Sequence, residues 1–478
     1  MLVREWKRLV LLLVPVLLIV VVTLQFYDWT SLPFSSAQIS DWIHNVYIHA
    51  GDDKPQHTLQ EISSITSGTQ SGKTSSSSGS GSSNLNGPYT EVFSSSTTDG
   101  KFFKINFGEF DAMNPNIIPH PTFEDTWIIV AQQHRSKIQH TVWFAELVCN
   151  AAFRDNTLQC VTPPMILPIA ATAGDKCTGD LAYFALNVGP HDARVFYGPR
   201  TPYALYGSNS MYTCFGQWMQ DFRTLIDWGM DSLISNQDFR HPTDLQRPPP
   251  WRSIEKNWFP FWDKDGQMYV HYDLTPNRIF AKLDVDGSIG VDLAPQTASA
   301  DAACMAKYMP KISLELESIH QATNSLSITL CKRSDPGCSP NDSNTFLFTI
   351  FQHKSYYSFH SEYEPYVMLF RREAPFGIHA FTRKPIWIHG RTSDHPSGGM
   401  PPPERNPNVG EGLASREAHV RTDMFYVVSM SWKKHGMKYH GYLDDELFLA
   451  FGIEDADTGG IDVLAADLLA DLGLCNES

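Results

Sequence analysis

Leu9 to Leu24 form an uncharged, strongly apolar run, and this constrains the chain more than any other feature. Arg4, Lys7 and Arg8 precede the run, and Phe26, Tyr27 and Trp29 follow it. Basic flanks stay in the cytosol and aromatic residues gather at the membrane interface. The expected topology is therefore type II, with a cytosolic tail at 1–8, a transmembrane anchor at 9–27 and everything later in a lumen. The run is short for a spanning helix, which suits a thin early-secretory or Golgi bilayer. A cleaved signal peptide would carry a shorter apolar region and a closer cleavage site than Ser35-Ser36-Ala37.

The next segment, 28–100, reads as a stalk, and from about Ile62 it is Ser, Gly and Thr with almost no apolar residues. Such a stretch buries too little surface to offset the entropy of ordering it, so it is expected to be a disordered tether. What remains, 101–478, is long enough to bury a sizeable core and is expected to be the lumenal domain. The net charge of -15 leaves no basic excess to neutralise phosphates and excludes nucleic acid as a partner. All 8 cysteines follow the stalk without zinc-ligand spacing, as disulfides in an oxidising compartment would. Cys331 with Cys338, and Cys149 with Cys160, lie close enough in sequence to staple single loops. Asn341-Asp-Ser and Asn476-Glu-Ser are glycosylation acceptors on the same side of the membrane.

The lumenal domain reads as many short apolar or alternating runs between turn residues. Gly266 to Leu274 and Arg278 to Leu283 are two such runs, with Asp265-Gly266 and Asp286-Gly287 as hairpin turns. Further runs occur at Thr126–Ala131, Ala182–Val188, Arg194–Tyr197, Ser327–Leu330, Phe346–Phe351, Tyr366–Phe370, Pro385–His389, Phe425–Met430 and Glu446–Phe451. This pattern predicts an all-β propeller or large sandwich with a few added helices. Helices are expected over Gln217–Trp228, where Trp218, Phe222, Leu225 and Ile226 fall at helical spacing, and over Ile461–Leu474.

Three Asp-x-Asp pairs invite a metal–diphosphate reading: Asp263/Asp265, Asp284/Asp286 and Asp455/Asp457. The first two are followed at once by Gly between apolar runs, so they are better explained as turns. No metal site is readable, and a divalent cation stays open. Four polar clusters interrupt apolar surroundings: His191-Asp192-Ala-Arg194, Glu255-Lys256-Asn257-Trp258, His320 to Asn324, and His440 to Glu446. Aromatic faces beside carboxylates, amides and Arg suit a sugar. Each cluster alone is better explained by a structural ion pair or a strand end; together, in a chain with 12 tryptophans, they point to a carbohydrate ligand.

From about Asp192 onward the chain resembles the fungal β-mannosyltransferases. The resemblance rests on Gly198-Pro-Arg-Thr-Pro-Tyr-Ala-Leu-Tyr-Gly207, Glu255-Lys-Asn-Trp258, Tyr269-Val-His-Tyr-Asp273 and Ile319-His-Gln-Ala-Thr-Asn-Ser-Leu326. It continues through Tyr363-Glu-Pro-Tyr-Val-Met-Leu369, Ala374-Pro-Phe-Gly377, Lys384-Pro-Ile-Trp-Ile388 and Gly441-Tyr-Leu-Asp-Asp-Glu446. Asp192-Ala-Arg194 and Lys256-Asn257 also resemble motifs of the mannoside phosphorylases, which implies a five-bladed propeller. Where those relatives carry an acid after their first motif, this chain reads Ser208-Asn209-Ser210.

The first resemblance implies a Golgi glycosyltransferase moving mannose from GDP-mannose to a mannan or glycolipid acceptor, with inversion to a β-1,2 linkage. It implies Asp192, or the pair Asp444 and Asp445, as base, with His191, Arg194, Glu255, Lys256, Asn257, Arg278, His320 and Asn324 binding substrate. Two alternatives stand beside it. One is a mannoside hydrolase or phosphorylase on the same fold, and the other is a membrane-tethered glycan-binding protein without catalysis.

Overall fold

The structure is a computed structural model, and it describes residues 87–134, 144–186, 188–229, 236–312, 316–357, 360–394 and 421–475. The anchor at 9–27, most of the stalk and Asn476 lie outside the described residues. Among the described residues no helix is long and apolar enough to cross a membrane.

The fold is all-β with few helices. Strands β1 (Thr90–Val92) and β2 (Phe103–Asn106) come first, then β3 (Ala112–Pro119), β4 (Trp127–Gln133), β5 (Glu146–Arg154), β6 (Thr157–Cys160) and β7 (Met165–Ile166). Strands β8 (His191–Tyr197), β9 (Pro202–Asn209), β10 (Phe215–Asp221) and β11 (Thr243–Asp244) form one antiparallel sheet in that order. Strands β12 (Phe259–Trp262), β13 (Met268–Asp273) and β14 (Ile279–Lys282) form the next, and helix α1 (Ala298–Tyr308) follows.

The chain continues through β15 (Glu317–Gln321), β16 (Leu326–Thr329), β17 (Thr345–Tyr357), β18 (His360–Arg371), β19 (Ile378–Thr382) and β20 (Ile386–Ile388). Short strands β21 (Ser393–Asp394) and β22 (Arg421–Thr422) pair with each other. It closes with β23 (Phe425–Trp432), β24 (His440–Tyr442), β25 (Glu446–Ile453), β26 (Asp457–Leu464), helix α2 (Ala465–Leu468) and β27 (Leu472–Leu474).

One sheet runs β23-β25-β26-β2-β6-β5-β4-β3, joining both ends of the described chain through β2 and β26. It rolls until its end strands face each other. Ser429 Oγ donates to the Pro115 carbonyl at 3.3 Å and Ser431 Oγ to that of Ile117 at 2.5 Å, so the sheet is a nearly closed barrel. Phe103, Ile117, Trp127, Leu147 and Phe448 fill it. Each such ring or branched chain contributes roughly 1.5–3 kcal/mol by leaving water.

Five strands, β3, β8, β12, β16 and β23, close a second ring in which each neighbours the next. Twisted sheets set radially hold their inner strands too far apart for a backbone ladder, yet buried backbone groups still need partners. Side chains bridge the gaps. Asn116 accepts from Val195 N at 3.0 Å and donates to the Ala193 carbonyl at 2.7 Å. Arg194 Nη2 donates to Asn257 Oδ1 at 2.7 Å, and Ser325 Oγ to the Pro260 carbonyl at 2.8 Å. Asn324 holds Met430 through both its amide functions, at 2.9 and 3.0 Å. The bonded positions advance together: Asn114 with Asp192 and Pro119 with Tyr197, Ser429 with Pro115 and Ser431 with Ile117. The inner strands thus run the same way, and their starting ends share one face, the mouth. Asn324→Leu would orphan both Met430 groups, and it is expected to cost about 2 kcal/mol in urea denaturation. An unchanged midpoint would contradict the bridging role.

Both short cysteine staples form, Cys149–Cys160 and Cys331–Cys338. Cys177–Cys214 and Cys304–Cys475 complete the pairing. The hairpin turns sit where Asp and Gly predicted them: Asp263 accepts from Asp265 N and Gln267 N, and Gly266 and Gly287 take positive φ of 86° and 87°. Both expected helices are corrected. Residues 215–221 are a strand buried on both faces, which erases the alternation that marks half-buried strands, and 222–224 make only a short 3-10 turn. The segment after Ile461 is the end of β26, a helix of 4 residues and β27. The run expected as a strand at Ala182–Val188 is largely 3-10 helix over Gly179–Leu186.

Candidate functional site

Three non-glycine residues at successive strand starts adopt left-handed backbone: Asn114 (φ 55°), Asp192 (φ 48°) and Asn257 (φ 65°). Asn and Asp tolerate this conformation better than most residues, but it still costs free energy. Where such residues cluster, the surrounding structure must hold them, as it does at functional sites. Asp192 is exposed at the mouth. Its Oδ1 accepts from Asn114 Nδ2 at 2.8 Å, and its backbone N–H donates to Gln132 Oε1 at 2.8 Å. The next N–H, of Ala193, donates to Glu146 Oε1 at 3.0 Å. Gln132 and Glu146 are paired across β4 and β5, so one cross-strand pair pins both peptide groups under the Asp192 carboxylate.

Glu146 is fully buried, and among the described residues its Oε2 has no hydrogen-bond partner. Burial pushes its carboxyl well above the ordinary 4.5; the Ala193 N–H opposes this and the Asp192 charge adds to it. A carboxyl raised on folding favours the fold below its unfolded pKa, and that contribution is lost as pH climbs from about 4.5 toward the folded value. Glu146→Gln keeps an acceptor for Ala193 and removes the titration. It is expected to raise the melting temperature at pH 8 while leaving it unchanged at pH 4, measured by thermal melts at both.

Beside Asp192 the wall is cationic and aromatic. Arg194 is buried and clamps Asn257 Oδ1, while Gln321 Nε2 fixes the Asn257 carbonyl at 3.0 Å. Lys256 is exposed. Burial, then the charges of Lys354 and Lys256, push His320 down to about 3, so its imidazole is neutral at physiological pH. His320 Nε2 lies 3.0 Å from Ser318 Oγ, and its ring meets Tyr363 edge-on at 5.8 Å. Tyr363 in turn packs on Tyr426 at 4.8 Å, and Lys354 Nζ lies 5.6 Å from the Tyr363 ring centre. The mouth therefore offers a solvent-facing carboxylate, amides for hydroxyls, the half-buried Tyr426 ring backed by buried Tyr363 for a sugar's C–H face, and ammonium groups for an anion.

The other residues singled out in the sequence lie elsewhere. His191 is half-buried, its ring 3.6 Å from that of Phe144. Arg278 is buried between Asp301 Oδ2 at 3.0 Å and the Phe376 carbonyl at 2.6 Å. Glu255 is buried, accepting from Arg247 Nε at 2.7 Å and Arg252 N at 2.9 Å. Asn324 spends its amide on Met430.

Asp444 and Asp445 follow β24, which pairs with the far end of β16 through His440↔Ser327 and Tyr442↔Thr329. There Asp444 accepts from Arg333 N at 2.5 Å and Asp445 from Arg333 Nη2 at 2.6 Å, so the structure does not bring them to Asp192. Ser208, Asn209 and Ser210 are buried at the end of β9, where Ser210 Oγ donates to Asp244 Oδ2 at 2.9 Å. Asn114, Glu146, Lys354, Tyr363 and Tyr426 are the mouth residues that sequence reasoning did not select. Asn114 carries a signal in retrospect, an Asn before Pro at a strand start. Among the described residues no group of three or more His, Cys, Asp or Glu is placed to hold a metal ion.

No family model and no curated protein matches the chain in sequence. Solved structures do match in shape. One is a β-1,2-mannobiose phosphorylase from Listeria innocua, 10% identical at a TM-score of 0.38, covering 82% of this chain and 98% of that one. An α-L-arabinofuranosidase from Podospora anserina is 10% identical at 0.34, covering 76% and 96%. Another from Lactobacillus brevis is 9% identical at 0.36, covering 74% and 90%. These values leave function to the site's own chemistry. By their names these structures cleave or phosphorolyse glycosides, and the fungal β-mannosyltransferase resemblance finds no counterpart among them. The expectation of GDP-mannose transfer is corrected on that finding.

Proposed function

We propose that this chain is a carbohydrate-active enzyme that breaks a mannoside by phosphorolysis at the mouth. In this reading the inner ring is the hub of a five-bladed propeller. The observation that carries it is the Asp192 carboxylate, turned to solvent in left-handed backbone and pinned from below by Gln132 and Glu146. Inverting hydrolysis uses two working carboxylates, one as acid and one to activate water. Here the second carboxyl next to Asp192, Glu146, is buried and favours its neutral form, while Lys256 and Lys354 flank the mouth. That balance suits a nucleophile that brings its own negative charge.

A phosphate oxygen bonds to the anomeric carbon as the bond to the leaving sugar oxygen breaks, and the proton that the phosphate gives up passes through the Asp192 carboxylate to that oxygen. Arg194, Asn257 and Asn114 orient hydroxyls, and Tyr363 with Tyr426 carries the ring. The preference for mannose rests on the likeness of Asp192-Ala-Arg194 and Lys256-Asn257 to mannoside phosphorylase motifs. As part of the same proposal, the apolar run at 9–27 tethers the domain to a secretory-pathway membrane, with the disulfide-bonded part in the lumen. A panel of α- and β-linked manno-oligosaccharides, incubated with the full chain with and without phosphate, tests the reading. Mannose 1-phosphate is expected. Free mannose without phosphate dependence would make it a hydrolase, and glycan binding without cleavage would overturn the enzyme.

A further inference from the structure

The far end of the inner ring holds a cavity of about 420 Å³, lined by Trp262, Asp263, Lys264, Arg333, Arg372 and Lys438 among others. Two lysines and two arginines thus face a single carboxylate, in a chain whose net charge is -15. The carboxylates that balance three of these cations stand outside the lining. Asp445 holds Arg333 at 2.6 Å; Asp342 holds Arg372 at 3.0 Å and Lys264 at 3.2 Å; Glu373 holds Lys264 at 2.9 Å. Lys438 Nζ donates to the Arg200 carbonyl at 3.4 Å, and among the described residues it forms no ion pair.

Asp263, the one carboxylate of the lining, keeps its oxygens on Asp265 N, Gln267 N and Tyr269 Oη and makes no short ion pair with these cations among the described residues. His440 is spent on Ser327 and Thr329, and burial followed by the charges of Arg372 and Arg333 lowers it to about 4. One wall is aromatic: Trp262 meets Tyr439 edge-on at 5.1 Å. Guanidinium forks and an ammonium match phosphate oxygens, and an indole edge matches a sugar's apolar face.

We propose that this cavity binds a phosphorylated saccharide, with Lys438, Arg333 and Arg372 on the phosphate and Trp262 with Tyr439 against the sugar. The site is separate from the mouth and stands whatever reaction the mouth performs. Calorimetric titration of the full chain with mannose 1-phosphate, inorganic phosphate and mannose tests it. A binding event for mannose 1-phosphate is expected that survives Lys256→Ala at the mouth. It should weaken about tenfold in Lys438→Ala, the loss of one charge-assisted bond, and recover in Lys438→Arg. Melting temperatures of both Lys438 variants, matched to the parent, separate lost binding from lost folding.

A phosphorylated mannan oligosaccharide distinguishes the source: tighter binding than the monosaccharide phosphate assigns a glycan chain, weaker binding a free sugar phosphate, and both support the site. Equal affinity for inorganic phosphate overturns the saccharide. Unchanged affinity in both Lys438→Ala and Arg372→Ala overturns the cavity.

Discussion

Asp192→Asn is expected to lower kcat by about a hundred- to ten-thousandfold, the range that a positioned proton donor contributes. The amide keeps the acceptor oxygen that Asn114 Nδ2 engages at 2.8 Å, and the Gln132 and Glu146 contacts go to the backbone of 192 and 193, so geometry is preserved. Asp192 is exposed, which leaves little stability at risk. Steady-state assays beside a thermal melt should therefore show lost turnover on an unchanged fold. Asp445→Asn, at the far end and bonded to Arg333, should leave turnover intact.

Asp301→Ala is expected to have the largest effect on stability, about 3–5 kcal/mol, because it strands a buried guanidinium. Arg278 and Asp301 are 3.0 Å apart with side chains 2% and 5% exposed. The same carboxylate also accepts from Ile378 N at 2.9 Å and Thr297 Oγ1 at 2.8 Å, tying α1 to β19. Burial already lowers the Arg278 pKa, with Asp301 opposing that shift, so the charge depends on its partner. Chemical denaturation should show the loss. Replacing both residues with apolar ones of similar volume should recover part of it, since removing the pair together leaves no unpaired charge.

The local chemistry of this chain was legible where one residue type decides one geometry. Asp263 to Gly266 and Asp286-Gly287 announced their turns, and two cysteine pairs at short spacing announced their staples. The polar clusters at Asp192 and Lys256 were visible because they interrupt apolar runs, and the structure brings Asp192, Arg194, Asn257 and His320 to one face. The cluster at Asp444 looked the same in sequence but lies at the other end of the ring. Nothing local encodes which end of a strand a turn occupies. The helix expected over Gln217–Trp228 failed for a related reason. A strand covered on both faces, as β10 is, keeps no period of two, and its aromatic spacing then imitates a helix turn. Glu146 could not have been found: it opens strand β5 with nothing local to mark it, and its role comes from the Ala193 N–H that another sheet delivers.

The most direct test of the account follows phosphorus by NMR while the full chain acts on β-linked mannobiose and inorganic phosphate, alongside Asp192→Asn and Asp445→Asn. A growing sugar-phosphate signal is expected with the full chain and with Asp445→Asn, and none with Asp192→Asn. A signal kept by Asp192→Asn and lost in Asp445→Asn would move the chemistry to the opposite face and contradict it.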